Sequence, residues 1–225
     1  MSGALIMMNS DDDGLVCPPC VAPQQVVIIP GTPKEDTRQA VLDHCEELAR
    51  TLRAKTFHGQ PLRVLVDRRD LGGGAKKWEW IKKGVPVRLE IGPRDLEKGS
   101  VCFQRRDQAP NEKTFLPETE LADTITDILQ NIQDTLLNKA VAFRDAHIRP
   151  ASTLRELEEI FSGEGDADWL QVPWDGSPEE EEELAKRLRI SIRCIPLGEL
   201  GHGDPAPCIL TGRLTERRVL WARSY

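Results

Sequence analysis

Apolar and polar positions along the chain alternate between strand-like and helix-like stretches. Gln25 to Pro30 (QVVIIP) is a continuous, β-branched apolar run, which predicts a strand buried on both faces. Thr32 then serves as a helix N-cap with Pro33 in the first turn. Val41, Leu42, Cys45, Leu48, Ala49 and Leu52 recur at helical spacing to about Lys55. Leu62 to Val66 reads as a second strand. The turn-rich stretch from Asp67 to Gly74 leads from it into a short helix through Trp78 to Ile81. Val85, Val87, Leu89 and Ile91 alternate with Pro86, Arg88 and Glu90, so one face meets a core while Arg88 and Glu90 lie on the other. Ser100 to Gln104 is a further strand. From Leu121 to about His147 a long amphipathic helix carries Leu121, Ile125, Ile128, Leu129, Ile132, Leu136 and Leu137 on one stripe. This succession predicts a compact α/β unit with a mixed sheet.

Arg149-Pro150 breaks the long helix and opens a second unit. It comprises a helix Leu154 to Phe161, an apolar segment Trp169 to Trp174, a helix Pro178 to Leu188 and a strand Ile190 to Ile195. A Gly- and Pro-rich loop at 201–207 and a last strand Val219 to Trp221 complete it. At the other end of the chain, Leu5, Ile6, Met7 and Met8 read as an apolar strand.

Charge changes this picture by singling out one segment. The chain of 225 residues has a formal net charge of −7, yet Leu62 to Arg106 holds twelve Lys or Arg against six Asp or Glu. The stretch from Arg155 to Glu183 is the acidic counterpart, with twelve acidic residues and one basic one. An anionic partner therefore meets the middle of the chain. With 39% hydrophobic residues, no apolar run near membrane length and no signal-like N-terminus, a cytoplasmic globular protein with no membrane partner is expected. The six cysteines, at 17, 20, 45, 102, 194 and 208, are too scattered for a disulfide scaffold and are expected to be reduced.

Most candidate chemistry is thin. Cys17-Pro-Pro-Cys20 has redox or half-zinc spacing but precedes a proline and a strand rather than opening a helix. His44, His58, His147 and His202 form no pair at helical spacing. The Gly72-Gly73-Gly74 run fits neither phosphate-cradling motif, and Asp11-Asp12-Asp13 reads as a solvated acidic loop. The basic segment is more informative, with Trp78, Trp80, Arg88, Arg94 and Asp95. Arg forks match guanine O6 and N7, carboxylates accept from base amino groups, and aromatic planes stack on unpaired bases, a set suited to single-stranded RNA. The same composition also fits a solvated basic face with tryptophans used for packing.

Lys83 to Glu97 (KGVPVRLEIGPRDLE), followed by Val101 to Asp107 (VCFQRRD), resembles the anticodon-binding domain of the prolyl-tRNA synthetase family. Ser10 to Pro23 resembles the last strand region of that family's catalytic domain. Arg217 to Tyr225 looks like the C-terminal extension of its archaeal and eukaryotic-like branch. The resemblance implies a class II synthetase anticodon-binding fold, a mixed sheet flanked by helices, followed by a small α+β C-terminal domain. It divides the chain into a catalytic-domain remnant at 1–24, the anticodon-binding domain at 25–149 and the C-terminal domain at 150–225.

Carried over position by position, the resemblance implies anticodon contacts at Arg88, Arg94 and Asp95, with Arg106 and Lys113. The family's acidic partner falls on Ile81, for which Glu79 is the substitute. Lys76, Lys77, Lys82, Lys83 and Arg106 are expected to neutralise phosphates. The implied partner is proline tRNA, whose anticodons carry two guanines, and not DNA. The family's other ATP- and proline-binding motifs are absent, and Cys20 stands where an ATP-contacting arginine is expected. No charging of tRNA by this chain alone is therefore expected, and ATP and Mg belong to an intact synthetase.

The four zinc-binding cysteines of some relatives would fall at Asp175, Glu180, Cys208 and Thr211. Only one is a cysteine, so a zinc-free copy and no metal site are expected. The leading expectation is a tRNA-binding module that recognises rather than catalyses: a fragment, a split-gene product or a truncated paralogue. Two other classes stand beside it. One is a protein-interaction module that docks on a separate catalytic subunit or forms a homodimer, motivated by the apolar residues 5–8. The other is a thiol enzyme using Cys17 and Cys20.

Overall fold

The computed structural model of the chain describes residues 2–31, 35–110, 112–163 and 168–223. Thr32 and Pro33, expected to open a helix, and the terminal Tyr225 lie outside the described residues. Two compact units divide the chain, residues 1–140 and 141–225.

The first unit opens with α1 (Ser2–Met8) and the small antiparallel pair β1 (Ser10–Asp11) and β2 (Gly14–Leu15). The strand expected at residues 5–8 is thus a helix, with Ile6, Met7 and Met8 exposed. An apolar run this short carries no period by which helix and strand can be told apart.

Then follow β3 (Val26–Pro30), α2 (Glu35–Arg53), the hairpin β4 (Thr56–Phe57) and β5 (Gln60–Pro61), β6 (Val64–Val66) and α3 (Gly73–Lys82). The unit continues with β7 (Val87–Ile91), α4 (Pro93–Lys98), β8 (Ser100–Arg105), β9 (Thr114–Pro117) and most of α5 (Glu118–Ala146), whose residues from 141 onward fall in the second unit. The β4–β5 hairpin, α4 and β9 are absent from the sequence reading. Helix α4 escapes because it is six residues long, too short for an apolar period. Pro93 starts it, the Asp95 carboxylate accepts from the Gly92 N–H at 2.9 Å, and Gly99 ends it in the left-handed region.

The sheet has the order β6-β3-β7-β8-β9, parallel among β6, β3 and β7 and antiparallel from β7 to β9. All five residues of β3 are buried, as a strand covered on both faces requires. Val26, Ile28, Val87, Leu89, Ile91, Val101 and Phe103 point into the main core. There they meet Val41, Cys45, Leu48 and Leu52 of α2 and Leu121, Ile125, Leu129 and Ile132 of α5. The alternate residues Val27 and Ile29 point to the opposite face, where Trp80 of α3 and Val85 cover them. That second face is where Arg88 and Gln104 must emerge, since each alternates with core residues along its strand.

Gly84 ties residues 14–17 to this sheet. Its φ of +72° suits glycine, and a Cβ there would stand 2.5 Å from the Leu15 carbonyl oxygen. Its own carbonyl accepts from the Cys17 N–H at 3.1 Å.

The second unit contains β10 (Ile148–Pro150), α6 (Leu154–Ser162), β11 (Trp169–Pro173), α7 (Pro178–Leu188), β12 (Ile190–Cys194), β13 (His202–Pro207) and β14 (Leu214–Arg223). Its sheet has the order β10-β11-β14-β12, with β13 paired to β14. The loop expected at 201–207 is therefore an edge strand. Pro205 and Pro207 are tolerated there, and the register is interrupted between His202 and Ala206. The last strand starts five residues earlier than expected because its first half is exposed and polar, hiding the apolar signal. Leu157, Phe161, Leu170, Val172, Trp174, Leu184, Ile190, Val219 and Trp221 form its core. Thr153 with Glu156, and Ser177 with Glu180, cap α6 and α7 by reciprocal side-chain and backbone hydrogen bonds. No helix among the described residues is long and apolar enough to cross a membrane.

Candidate nucleic-acid interface

Arg88 and Gln104 are direct partners in the β7–β8 register and project from the second face of the sheet. Both are 1% exposed. Arg88 Nη2 lies 3.5 Å from Gln104 Oε1, the outer limit of a hydrogen bond. Arg88 Nε and Nη1 and Gln104 Nε2 are buried with no partner among the described residues. Burial first, and Arg106 second, push the Arg88 guanidinium down to about 10, against the opposing pull of Glu90. The fold thus holds a cation that it does not neutralise.

Beside this lies a polar hub that the sequence reading passed over. Asp67 follows β6 with its side chain almost wholly buried. It accepts from Arg69 Nη2 at 2.7 Å, Arg69 Nε at 2.9 Å and Trp80 Nε1 at 2.8 Å, and its backbone carbonyl accepts from Lys76 Nζ at 3.0 Å. Arg69 bridges onward to Glu79 at 2.6 Å, which also accepts from Lys83 at 2.6 Å. These bonds dock α3 on the sheet.

Two carboxylates of this unit are held below the ordinary range, Asp67 mainly by Arg69 and then Trp80, and Asp11 mainly by Arg106. A carboxyl whose folded pKa lies below its unfolded value stabilises the fold above that value. The contribution disappears as pH falls through the folded pKa. Urea unfolding is therefore expected to show stability declining below about pH 4, the ordinary Asp value. Asp67→Asn should flatten that decline; an unchanged pH profile would remove Asp67 as its source.

The other expected contacts are spread between exposed and committed side chains. Arg94 is exposed and makes no ion pair with the described residues, and Asp95 is half-buried as the α4 cap. Lys113 donates to Glu90 at 3.1 Å. Lys82 and Lys83 are exposed, Lys77 is half-buried, and Trp78 is 49% exposed on α3.

Three of the expected contact residues have partners within the fold. Lys76 is 5% exposed and donates its ammonium group to the Asp67 carbonyl, a bond that helps dock α3. Glu79 accepts from Arg69 and Lys83. Arg106 is 3% exposed and holds both carboxylate oxygens of Asp11, with further bonds to the Gly14 and Ile81 carbonyls. Asp11 is accordingly an anchor, not part of a free acidic loop. Its partner lies 95 residues away, a distance that no local pattern signals.

Cys17 is buried, and burial raises its thiol above the ordinary value, the reverse of an activated nucleophile. Both Cys17 and Cys20 are free thiols. In the second unit, Asp175, Cys208 and Thr211 come together, the Asp175 N–H donating to Cys208 Sγ at 3.2 Å. Arg213, however, donates to the Asp175 carboxylate at 2.7 Å and to its carbonyl at 2.7 Å, while the Glu180 carboxylate is turned to the Ser177 N–H at 2.7 Å. These donors do not fit zinc, which would have to strip both carboxylates of their partners. Among the described residues no group of three or more His, Cys, Asp or Glu stands close enough to hold a metal.

Comparison with known proteins matches the same two regions. Residues 25–128 match the family described as Anticodon binding domain, and residues 156–225 match Prolyl-tRNA synthetase, C-terminal. The whole chain is 88% identical over 225 residues to a proline-tRNA ligase of Akkermansia muciniphila, of which it covers 44%. It is 45% identical to Proline-tRNA ligase 2 of Anaeromyxobacter dehalogenans and 41% identical to a proline-tRNA ligase of Protochlamydia amoebophila, covering 46% and 45% of them. The chain thus spans less than half the length of these relatives. Its α/β units follow the order of the two matched families, the mixed sheet in the first and the capped helices on a mostly antiparallel sheet in the second. The chain belongs to the prolyl-tRNA synthetase family, of which it carries the anticodon-binding domain and the C-terminal domain.

Proposed function

We propose that the chain binds proline tRNA by its anticodon, as the recognition part of a proline-tRNA ligase. The observation that supports this most directly is the Arg88 guanidinium, held on the second sheet face with two nitrogens lacking any acceptor among the described residues. A folded protein retains such a group at a cost, and a ligand acceptor removes that cost. Arg94 and Asp95 lie just beyond the end of the same strand, at the start of α4. Lys77 and Lys82 on α3, Lys83 at its C-terminal cap and Lys113 before β9 supply positive charge for the phosphates, while Trp78 offers an aromatic plane. Within these residues the contribution is recognition rather than bond formation, and the second unit folds on its own side chains without zinc.

Binding of the purified protein to proline tRNA, measured across a salt series with and without its anticodon guanines, tests this reading. Affinity is expected to fall linearly on a logarithmic salt axis and to drop when the guanines are replaced. Binding that ignores the anticodon at every salt concentration would defeat it and leave a protein-interaction module in its place.

A further inference from the structure

In the second unit, the turn between β13 and β14 meets the loop that leads from β11 into α7. Main-chain bonds flank the meeting point: the Ile209 N–H donates to the Pro173 carbonyl and the Trp174 N–H to the Arg217 carbonyl, both at 3.2 Å. The turn is closed by the Cys208 N–H on the Arg213 carbonyl at 2.8 Å and the Gly212 N–H on the Cys208 carbonyl at 3.0 Å, with Gly212 at a φ of +72°. In the facing loop, a Cβ on Gly176 would stand 2.4 Å from the Trp174 ring, so the backbone there follows one tight path.

Across the gap, donors and acceptors close into a ring. The Asp175 N–H donates to Cys208 Sγ at 3.2 Å. Burial pushes the Cys208 thiol up more than any other single influence, yet the Thr211 hydroxyl and the N–H groups of Thr211, Leu210 and Asp175 together bring it below the ordinary value. Thr211 Oγ1 in turn accepts from the Arg213 N–H at 3.3 Å. The Arg213 guanidinium then crosses to the facing loop, donating from Nε to Asp175 Oδ2 and from Nη2 to the Asp175 carbonyl, both at 2.7 Å. The positions that the family resemblance assigns to zinc, 175, 180, 208 and 211, lie on these two loops and the start of α7, where the donors present do not fit the metal. We propose that the ring from Asp175 through Cys208 and Thr211 to Arg213 is a metal-free clasp, in which Arg213 ties the two loops that a zinc ion would tie.

Arg213 suits this task because a guanidinium presents several N–H groups in a fixed fork, so one side chain engages a carboxylate and a main-chain carbonyl at once. The Arg213 and Asp175 side chains are 65% and 43% exposed, so their pairing adds little to global stability and acts instead on local opening of the loops. Cys208 reports that opening, because it is 3% exposed and an alkylating reagent reaches its sulfur only when the clasp parts. Cys20 and Cys194 are exposed free thiols, which label from the folded state and serve as references.

The test is the rate at which iodoacetamide alkylates Cys208 in the full chain under native conditions, read by peptide mass spectrometry. Arg213→Ala is expected to raise that rate about tenfold relative to Cys194, as the loss of a charge-assisted hydrogen bond predicts. Arg213→Lys, which keeps the charge without the fork, is expected to recover only part of the protection. A strong zinc chelator is expected to leave the parent rate within about twofold of its starting value, and added zinc to leave Arg213→Ala unprotected. Hydrogen exchange in peptides spanning 174–177 is expected to quicken in Arg213→Ala while β12 keeps the parent rate, the mark of local opening. A chelator that raised the parent rate to that of Arg213→Ala would overturn the inference and put a metal in the site. An Arg213→Ala rate equal to the parent's would also overturn it, leaving the loops held by main-chain bonds alone, and exchange quickened throughout the second unit would make Arg213 a general strut instead. No RNA takes part in these measurements, so the anticodon reading stands or falls separately.

Discussion

Arg88→Met is expected to make the protein more stable and, in the same step, to abolish its discrimination of the anticodon. Arg88 is 1% exposed, its closest contact is at the limit of a hydrogen bond, and burial pushes its pKa down to about 10. The folded state thus disfavours the charged form that exists at neutral pH. Methionine has similar reach, no charge to desolvate and no unsatisfied N–H. Its gain is expected to be about 1–3 kcal/mol, the usual range when a poorly compensated buried charge gives way to an apolar side chain. Structural arginines behave oppositely, because removing them orphans their partners. Chemical denaturation of the two proteins side by side separates the cases. A methionine variant that unfolds at lower denaturant would show that Arg88 is part of the scaffold. A stabilised variant that still tells guanosine from other bases would show that Arg88 is not the reader. The expected combination is a stability sacrifice retained for recognition.

Arg106→Ala is expected to do the reverse, costing about 2–4 kcal/mol while leaving base discrimination in place in the protein that remains folded. The guanidinium donates to Asp11 Oδ2 at 2.7 Å and to Asp11 Oδ1, to the Gly14 carbonyl at 3.2 Å and to the Ile81 carbonyl at 3.1 Å. It therefore clamps the β1–β2 pair and the end of α3 to the sheet at once. Lysine keeps the charge but has no planar fork, so Arg106→Lys should recover the lost stability only in part. Half of the Asp11 side chain reaches solvent and can rehydrate, which holds the cost to the lower part of the range for a broken buried pair. If Arg106→Ala melted like the parent yet lost its preference among anticodon bases, Arg106 would be an RNA contact and not a strut.

These two arginines show what separates a reader from a strut. Both lie in the segment with a surplus of basic residues, and both are nearly inaccessible. Their sequence contexts do not distinguish them. One finds carbonyls and a carboxylate waiting, and the other finds a single amide oxygen, because strand register sets Gln104 opposite Arg88 whereas a loop return brings Asp11 to Arg106.

Much of the fold was legible without coordinates. The apolar run at 26–30 reports burial on both faces, the alternation through 85–91 assigns Leu89 and Arg88 to opposite sides, and the stripe along 121–136 marks the packing face of α5. Each is a periodicity of backbone geometry, which repeats locally and so can be read locally. The Lys83 to Glu97 string carried the family itself. Elements without a period were missed or misread: α4 is too short, β13 is built on an edge that tolerates proline, and α1 holds an apolar run with no repeat. By itself, then, the sequence determined the family, the order of the main elements and the side of the sheet on which the polar residues emerge. Only the tertiary structure decided which of those polar residues are satisfied, since a hydrogen bond depends on the position of a partner many residues away. That condition gives Lys76, Glu79 and Arg106 partners within the fold, and leaves Arg88 with Gln104 as buried donors that nothing in the described protein answers.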